Sequence, residues 1–78
     1  MISDRLKSCI LRELGGIDFP LTGETLAYEV PGWDSLNHVR VLAAVEKEFA
    51  VQFRSLEILR LKNVGDLQKL VDKKLASA

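Results

Sequence analysis

PGWDSLNHVRVLAAVEKEF, residues 31–49, opens with two chain breakers and then settles into the spacing of an amphipathic helix. Pro31 and Gly32 interrupt whatever precedes them, and Asp34 offers a carboxylate to the free backbone N–H groups of the segment that follows. Leu36, Val39 and Leu42/Ala43, with Val41, Val45 and Phe49, recur at three- and four-residue steps and cover a wide face. Asn37, Arg40, Lys47 and Glu48 fall on the opposite stripe. The spacing predicts a helix from about Asp34 to Ala50, with Ser35 at its first position and its hydroxyl turned outward. A phosphate attached there would meet the positive end of the helix dipole and unsatisfied N–H donors, a gain that the neighbouring charge of Asp34 partly offsets. The pair Asp34-Ser35 can equally be a helix cap and nothing more.

Outward from this segment the chain also reads as helix. Ile2, Leu6, Cys9/Ile10 and Leu14 form one apolar stripe, with Ser3 as N-cap and Gly15-Gly16 as the stop. A short helix is expected over Ser55–Leu61, with Leu56, Ile58, Leu59 and Leu61 apolar. Asn63 then caps a last helix, Val64 to about Ala76, whose stripe is Leu67, Leu70/Val71 and Leu75. Phe49, Phe53, Leu67, Leu70 and Val71 are expected in the core.

Residues 16–33, with Pro20, Gly23, Pro31 and Gly32, make a connection too long to be left structureless in a compact domain. Phe19, Leu21, Leu26, Tyr28 and Val30 can anchor it to the helices. The alternation Leu26, Tyr28, Val30 would also suit an edge strand, but a lone strand has no partner. The expected fold is an all-α, small four-helix bundle: three main helices, one short third helix, and a long loop between the first and second.

The chain has 78 residues, enough for a single domain spanning 1–78 with one core. Eleven basic residues cancel eleven acidic ones, so no overall field favours nucleic acid or an anionic membrane. The apolar run Val41–Val45 is too short to cross a bilayer, and Met1-Ile2-Ser3-Asp4-Arg5-Leu6-Lys7 lacks the apolar stretch of a secretory signal. Neither nucleic-acid binding nor membrane insertion is expected, and the cytoplasm is the expected location. With one cysteine and one histidine, neither an internal disulfide nor a Cys/His zinc site can form, and no metal site is expected. Charge is nonetheless unevenly placed. Glu13 to Val39 holds five acids (Glu13, Asp18, Glu24, Glu29, Asp34) and no base, whereas from Ala50 onward bases outnumber acids. This is either ordinary solvated helix surface or, around residues 24 to 34, an acidic face that steers a basic partner.

His38 lies one helical turn after Ser35, which raises a Ser-His-Asp hydrolase. Adjacent Asp34 and Ser35 cannot readily orient the imidazole from its far side, and no loop offers an oxyanion hole, so no catalytic residues are assigned. His38 is expected at the surface near Ser35. Cys9 shares the stripe of Leu6 and Leu14 and reads as a small buried hydrophobe. Trp33 either packs the loop onto the bundle or stands exposed as part of a docking surface.

Asp34-Ser35-Leu36, followed by Val39, Leu42, Ala44-Val45-Glu46 and Glu48-Phe49, resembles the acyl carrier proteins with their Asp-Ser-Leu prosthetic-group site. The likeness extends to a first helix ending in Leu14-Gly15, a crossover with Leu26 and Val30, a short third helix, and Val64…Leu67…Leu70-Val71 in the fourth. It implies a carrier and not an enzyme. A phosphopantetheinyl transferase would attach 4'-phosphopantetheine from coenzyme A to Ser35, with Asp34 at the family's metal-contact position for the transferase. The arm would carry acyl intermediates as thioesters between a loading ligase and processing enzymes such as a ketosynthase or acyltransferase. Trp33, Leu36, Asn37, Val39, Arg40, Ala43 and Lys47 would form the docking surface of a protein that works as a monomer. Asn37, Arg40 and Lys47 stand where the family often shows carboxylates, and Gly32-Trp33-Asp34-Ser35 resembles discrete carriers of specialised, polyketide-like pathways. The expectation is therefore fatty acid or specialised biosynthesis, with an aminoacyl or peptidyl carrier and an unmodified helical interaction module as the alternatives.

Overall fold

The computed structural model describes residues 2–77 and is all-α over that range. Its elements are α1 (Asp4–Glu13), a 3-10 turn (Ala27–Glu29), α2 (Ser35–Phe49), α3 (Ser55–Leu59) and α4 (Val64–Ser77). Among the described residues no helix is long and apolar enough to cross a membrane.

The expected caps are in place. The Ser3 hydroxyl accepts the Leu6 N–H at 3.2 Å, and Asn63 Oδ1 accepts the Asp66 N–H at 2.8 Å. Gly15 and Gly16 take positive φ values of 97° and 76°, which end α1 where a residue with a Cβ would be strained. Leu6, Cys9 and Ile10 of α1 meet Val41, Leu42, Val45 and Phe49 of α2, and Val64, Leu67 and Val71 of α4 close the core. Outside the core, α1 is fastened to the end of α2 by Arg5. Its guanidinium bonds to Glu48 Oε2 at 2.8 Å and to the Glu48 carbonyl at 2.6 Å, and lies 4.6 Å from the Phe49 ring centroid.

The crossover is a packed loop, and the edge-strand alternative fails: a 3-10 turn stands where Leu26, Tyr28 and Val30 alternate. Leu21 and Val30 are buried, Phe19 is half-buried, and Tyr28 is 82% exposed, so Tyr28 is not an anchor. Backbone groups do much of the anchoring instead. The N–H groups of Val64 and Gly65, at the start of α4, donate to the carbonyls of Thr25 (2.9 Å) and Gly23 (2.8 Å). That satisfies two helix-end donors and pins the middle of the loop to the bundle.

The third helix is shorter than expected, ending at Leu59 and not Leu61. Only Ile58 and Leu61 of its apolar residues pack on the core, while Leu56 (69%) and Leu59 (79%) face solvent. A helix of one and a half turns has one narrow buried edge, so most of its side chains must point out. Phe53 and Leu70 are half-buried, at the margin of the core and not inside it, and Leu75 is largely exposed. The position of α3 against α2 is fixed at two points. The Phe53 N–H donates to Glu46 Oε2 at 2.8 Å, and Leu61 and Lys62 share a cavity wall with His38 and Leu42. The segment 53–62 thus runs back along α2 from its C-terminal half toward its N-terminal turn.

Candidate functional site

The start of α2 is built by a short relay of backbone and side-chain bonds. Gly32 has φ +81°, a left-handed conformation that turns the chain sharply between Val30 and Asp34. Its carbonyl accepts the Asn37 side-chain amide at 2.6 Å. Asp34 then takes an extended backbone and its Oδ1 accepts the Asn37 N–H at 2.8 Å, a helix N-cap. Ser35 follows as the first residue of a helix of 15 residues. Its side chain is exposed, and among the described residues its hydroxyl makes no hydrogen bond. The N–H groups of Ser35 and Leu36 precede the first intrahelical bond, as at any helix N-terminus, and with the dipole they favour an anion beside that hydroxyl.

This arrangement suits a phosphodiester on Ser35. The oxygen is free of competing bonds, the donors beside it are uncommitted within the helix, and solvent gives access for a large modifying enzyme. The neighbouring Asp34 holds one carboxylate oxygen toward the Asn37 N–H.

Trp33 is buried, 9% exposed, and its indole Nε1–H donates to His38 Nδ1 at 3.1 Å. Of the two readings open for Trp33, packing is the one realised, and its side chain is removed from the docking surface proposed for it. The reason is the Gly32 turn, which swings the ring inward onto α2. His38 is half-buried and has its Nδ1 occupied, so the neutral ring carries its proton on Nε2. Neither His38 nor Asp34 addresses the other, and the three residues of a hydrolase relay are not assembled.

A shallow recess beside Ser35 is bordered by Tyr28, Trp33 and His38. Behind the same Trp33 and His38 lies an apolar cavity of about 40 Å3, lined further by Leu42, Leu61, Val64 and Leu67. The Trp33–His38 pair is therefore the wall between the serine's recess and the interior. Sequence spacing holds no signal for this five-residue side-chain bond, and Tyr28, expected as an anchor of the loop, borders the recess instead.

The remaining docking candidates divide by environment. Leu36 (63%) and Val39 (65%) are exposed apolar side chains, and Ala43, Arg40 and Lys47 are exposed with them. Asn37 is half-buried, with its side-chain amide held by Gly32, so it belongs to the turn more than to the surface. Glu48, placed on the polar stripe, is taken up by Arg5 and Arg12 (3.5 Å) of α1. Cys9 is 2% exposed, and burial pushes its thiol above the ordinary value. Among the described residues no group of acidic, histidine or cysteine side chains could hold a metal ion.

No protein-family model matches the chain. Over 74 residues it is 31% identical to an acyl carrier protein of Thermotoga maritima, covering 95% of this chain and 91% of that one. It is also 31% identical over 72 residues to an acyl carrier protein of Buchnera aphidicola subsp. Baizongia pistaciae, covering 92% of each. The fold matches the solution NMR structure of a holo acyl carrier protein from Geobacter metallireducens with a TM-score of 0.87 and 39% identity. That match covers 95% of this chain and 85% of the other.

Proposed function

The chain belongs to the acyl carrier protein family, a family of carriers and not of enzymes, and from that premise we propose that Ser35 is where its 4'-phosphopantetheine is attached. The observation that carries the assignment is the exposed, unbonded hydroxyl at the first position of α2. Coenzyme A is the source of the group and a phosphopantetheinyl transferase its installer. Once attached, the group supplies a thiol on a long arm, where acyl cargo is held as a thioester and passed between enzymes.

The chain's own residues prepare the reacting oxygen. Gly32 and Asn37 fix the turn, and Asp34 caps the helix so that Ser35 is held at its first position. The second carboxylate oxygen of Asp34 is free to meet the transferase's metal ion beside that hydroxyl. The helix dipole favours the negative phosphodiester that results. Residues 1–78 act as one carrier domain, working as a monomer in the cytoplasm.

The pathway is read as a dedicated one, either specialised biosynthesis or a discrete branch of fatty acid metabolism. From Asp34 to Phe49 there are three acids (Asp34, Glu46, Glu48) and two bases (Arg40, Lys47). Glu48 is also neutralised by α1, which leaves the exposed side of α2 without an acidic stripe. Several mismatched charges together reject a wrong partner more effectively than any one of them. Acyl-loading and acyl-processing enzymes matched to this surface are the expected partners.

The test is a loading reaction with coenzyme A, magnesium and a broad-specificity transferase, followed by intact-mass measurement. A phosphopantetheine increment on the wild type and none on Ser35→Ala is the expected result. No increment on the wild type would support an unmodified helical module, and an increment surviving in Ser35→Ala would move the site elsewhere.

A further inference from the structure

Net charge is zero, yet the charges around α2 and α3 are unevenly engaged. On the α2–α3 side the carboxylates are committed to the fold. Glu46 accepts the Phe53 N–H, Asp66 accepts the Lys62 N–H at 3.0 Å, and Glu57 accepts the Arg54 N–H while pairing with Lys74 at 2.8 Å. The bases on that side are not committed. Arg40 and Lys47 on α2, and Arg60 and Lys62 just after α3, are exposed and make no ion pair or side-chain hydrogen bond among the described residues. With Glu57 neutralised by Lys74, these four cations outnumber the charges of Glu46 and Asp66.

The cations also frame something. On a helix of 3.6 residues per turn, Val39, Ala43 and Leu36 form a strip, with Lys47 and Arg40 along the edge away from α3. The opposite edge of that strip is bounded by Glu46 and Leu42, against which the segment 53–62 lies. On that segment Leu56 and Leu59 expose 69% and 79% of their surface, and Arg60 and Lys62 follow them in the chain. Both segments thus expose apolar side chains in the company of exposed bases, Arg40 and Lys47 on α2 and Arg60 and Lys62 after α3. At the Ser35 end of α2 the sign reverses, since Glu29 and Asp34 are exposed there.

We propose that the α2–α3 face docks protein partners that present an apolar groove bordered by carboxylates. The inference rests on the carrier reading above, because enzymes must dock beside Ser35 to reach the arm, and it adds the partner's chemistry. Leucines and valine supply the buried contact, while the four bases supply attraction and register. The acidic end at Glu29 and Asp34 repels carboxylates and so sets the direction in which a partner lies along α2. A partner built for a carrier with an acidic second helix brings bases to Arg40 and Lys47, and like charges in contact disfavour it.

The test uses two synthetic helical peptides sharing one leucine face, one flanked by glutamates and the other by lysines. Each is titrated into the 15N-labelled protein at low salt and again at about 300 mM salt, where the screening length has shortened to several ångströms. The expected result is a preference of about tenfold or more for the glutamate peptide at low salt, shrinking at high salt. Amide shifts should fall on residues 36–47 and 56–62. Arg40→Glu/Lys47→Glu, with both sites exposed and the fold checked by its amide spectrum, should weaken or reverse the preference. Equal affinity, a preference for the lysine peptide, binding of neither, or shifts confined to other faces overturns the proposal. Because the peptides bind without the prosthetic group, this result is independent of whether Ser35 accepts phosphopantetheine.

Discussion

Replacing Asp34 by asparagine and, separately, by alanine divides the structural work of this residue from its chemical work. Its Oδ1 accepts the Asn37 N–H at 2.8 Å and caps α2. Asparagine keeps a carbonyl oxygen at the same place and is as good a cap, whereas alanine leaves the donor without its partner at a cost of about 1 kcal/mol. For a domain of this size that loss lowers Tm by roughly 4–8 °C. Asparagine also removes the negative charge from the helix N-terminus, worth a few tenths of a kcal/mol to about 1 kcal/mol when exposed.

Thermal unfolding followed at 222 nm should therefore rank wild type, then Asp34→Asn close behind, then Asp34→Ala. Loading by the transferase should follow a different order. If the free carboxylate oxygen meets the transferase's metal ion, both variants lose loading rate together, because an amide oxygen is a much weaker ligand for a hard divalent cation. The informative result is Asp34→Asn: nearly native in stability and deeply impaired in loading. Were Asp34→Asn loaded as fast as wild type, Asp34 would be a cap alone and the metal-contact role would be wrong. Were it as unstable as Asp34→Ala, the cap would act through charge and not through the hydrogen bond.

Three further outcomes are expected. Gly65→Ala should destabilise the protein by about 1–3 kcal/mol in urea unfolding. A Cβ at Gly65 would sit 2.6 Å from the Gly23 carbonyl oxygen, and an unchanged or raised midpoint would show that the loop yields easily. Stability should hold above pH 4.5 and fall below it, because Glu48 and Glu57 titrate below that ordinary carboxyl value, held down by bonds from Arg5 and Lys74 respectively. Each contributes stability while ionised and loses it as the pH drops through its lowered value, so Glu48→Gln/Glu57→Gln should flatten the acid limb of the urea midpoint. Cys9, buried with its thiol pushed up, should ignore an aromatic disulfide reagent in the folded apo-protein. Loading should then add one fast-reacting thiol, and a fast thiol before loading would mean that the core opens at Cys9.

What the sequence disclosed and what it withheld divide along a physical line. The caps at Ser3, Asp34 and Asn63, the Gly15-Gly16 stop and the position of Ser35 are local: each depends on side chains within a few residues of one another. Such features can be read from spacing. The anchoring of the loop by Thr25 and Gly23 carbonyls onto α4 involves no side chain and has no sequence signature, whereas Tyr28, an aromatic in an anchoring pattern, stands exposed. The apolar residues of α3 were equally misleading, since a pattern of leucines says that a face exists but not whether anything covers it. Leu56 and Leu59 face water because α3 is too short to bury more than the side of Ile58.

The same division separates the two halves of the carrier's task. Presentation of the serine is set mainly by local bonds within residues 30–38, a turn and a cap at the start of α2. Recognition depends on tertiary pairing, because whether Arg40, Lys47, Arg60 and Lys62 attract a partner turns on which carboxylates the fold has already engaged. A count along the sequence finds a nearly neutral second helix, whereas the fold separates its charges: Glu48 is paired with α1 and Glu46 is turned to the Phe53 N–H, while Arg40 and Lys47 stay exposed. It follows that modification should tolerate charge changes along α2 far better than partner choice does. Arg40→Glu/Lys47→Glu would still be expected to take up the prosthetic group at Ser35 while losing its preference for an acidic docking surface.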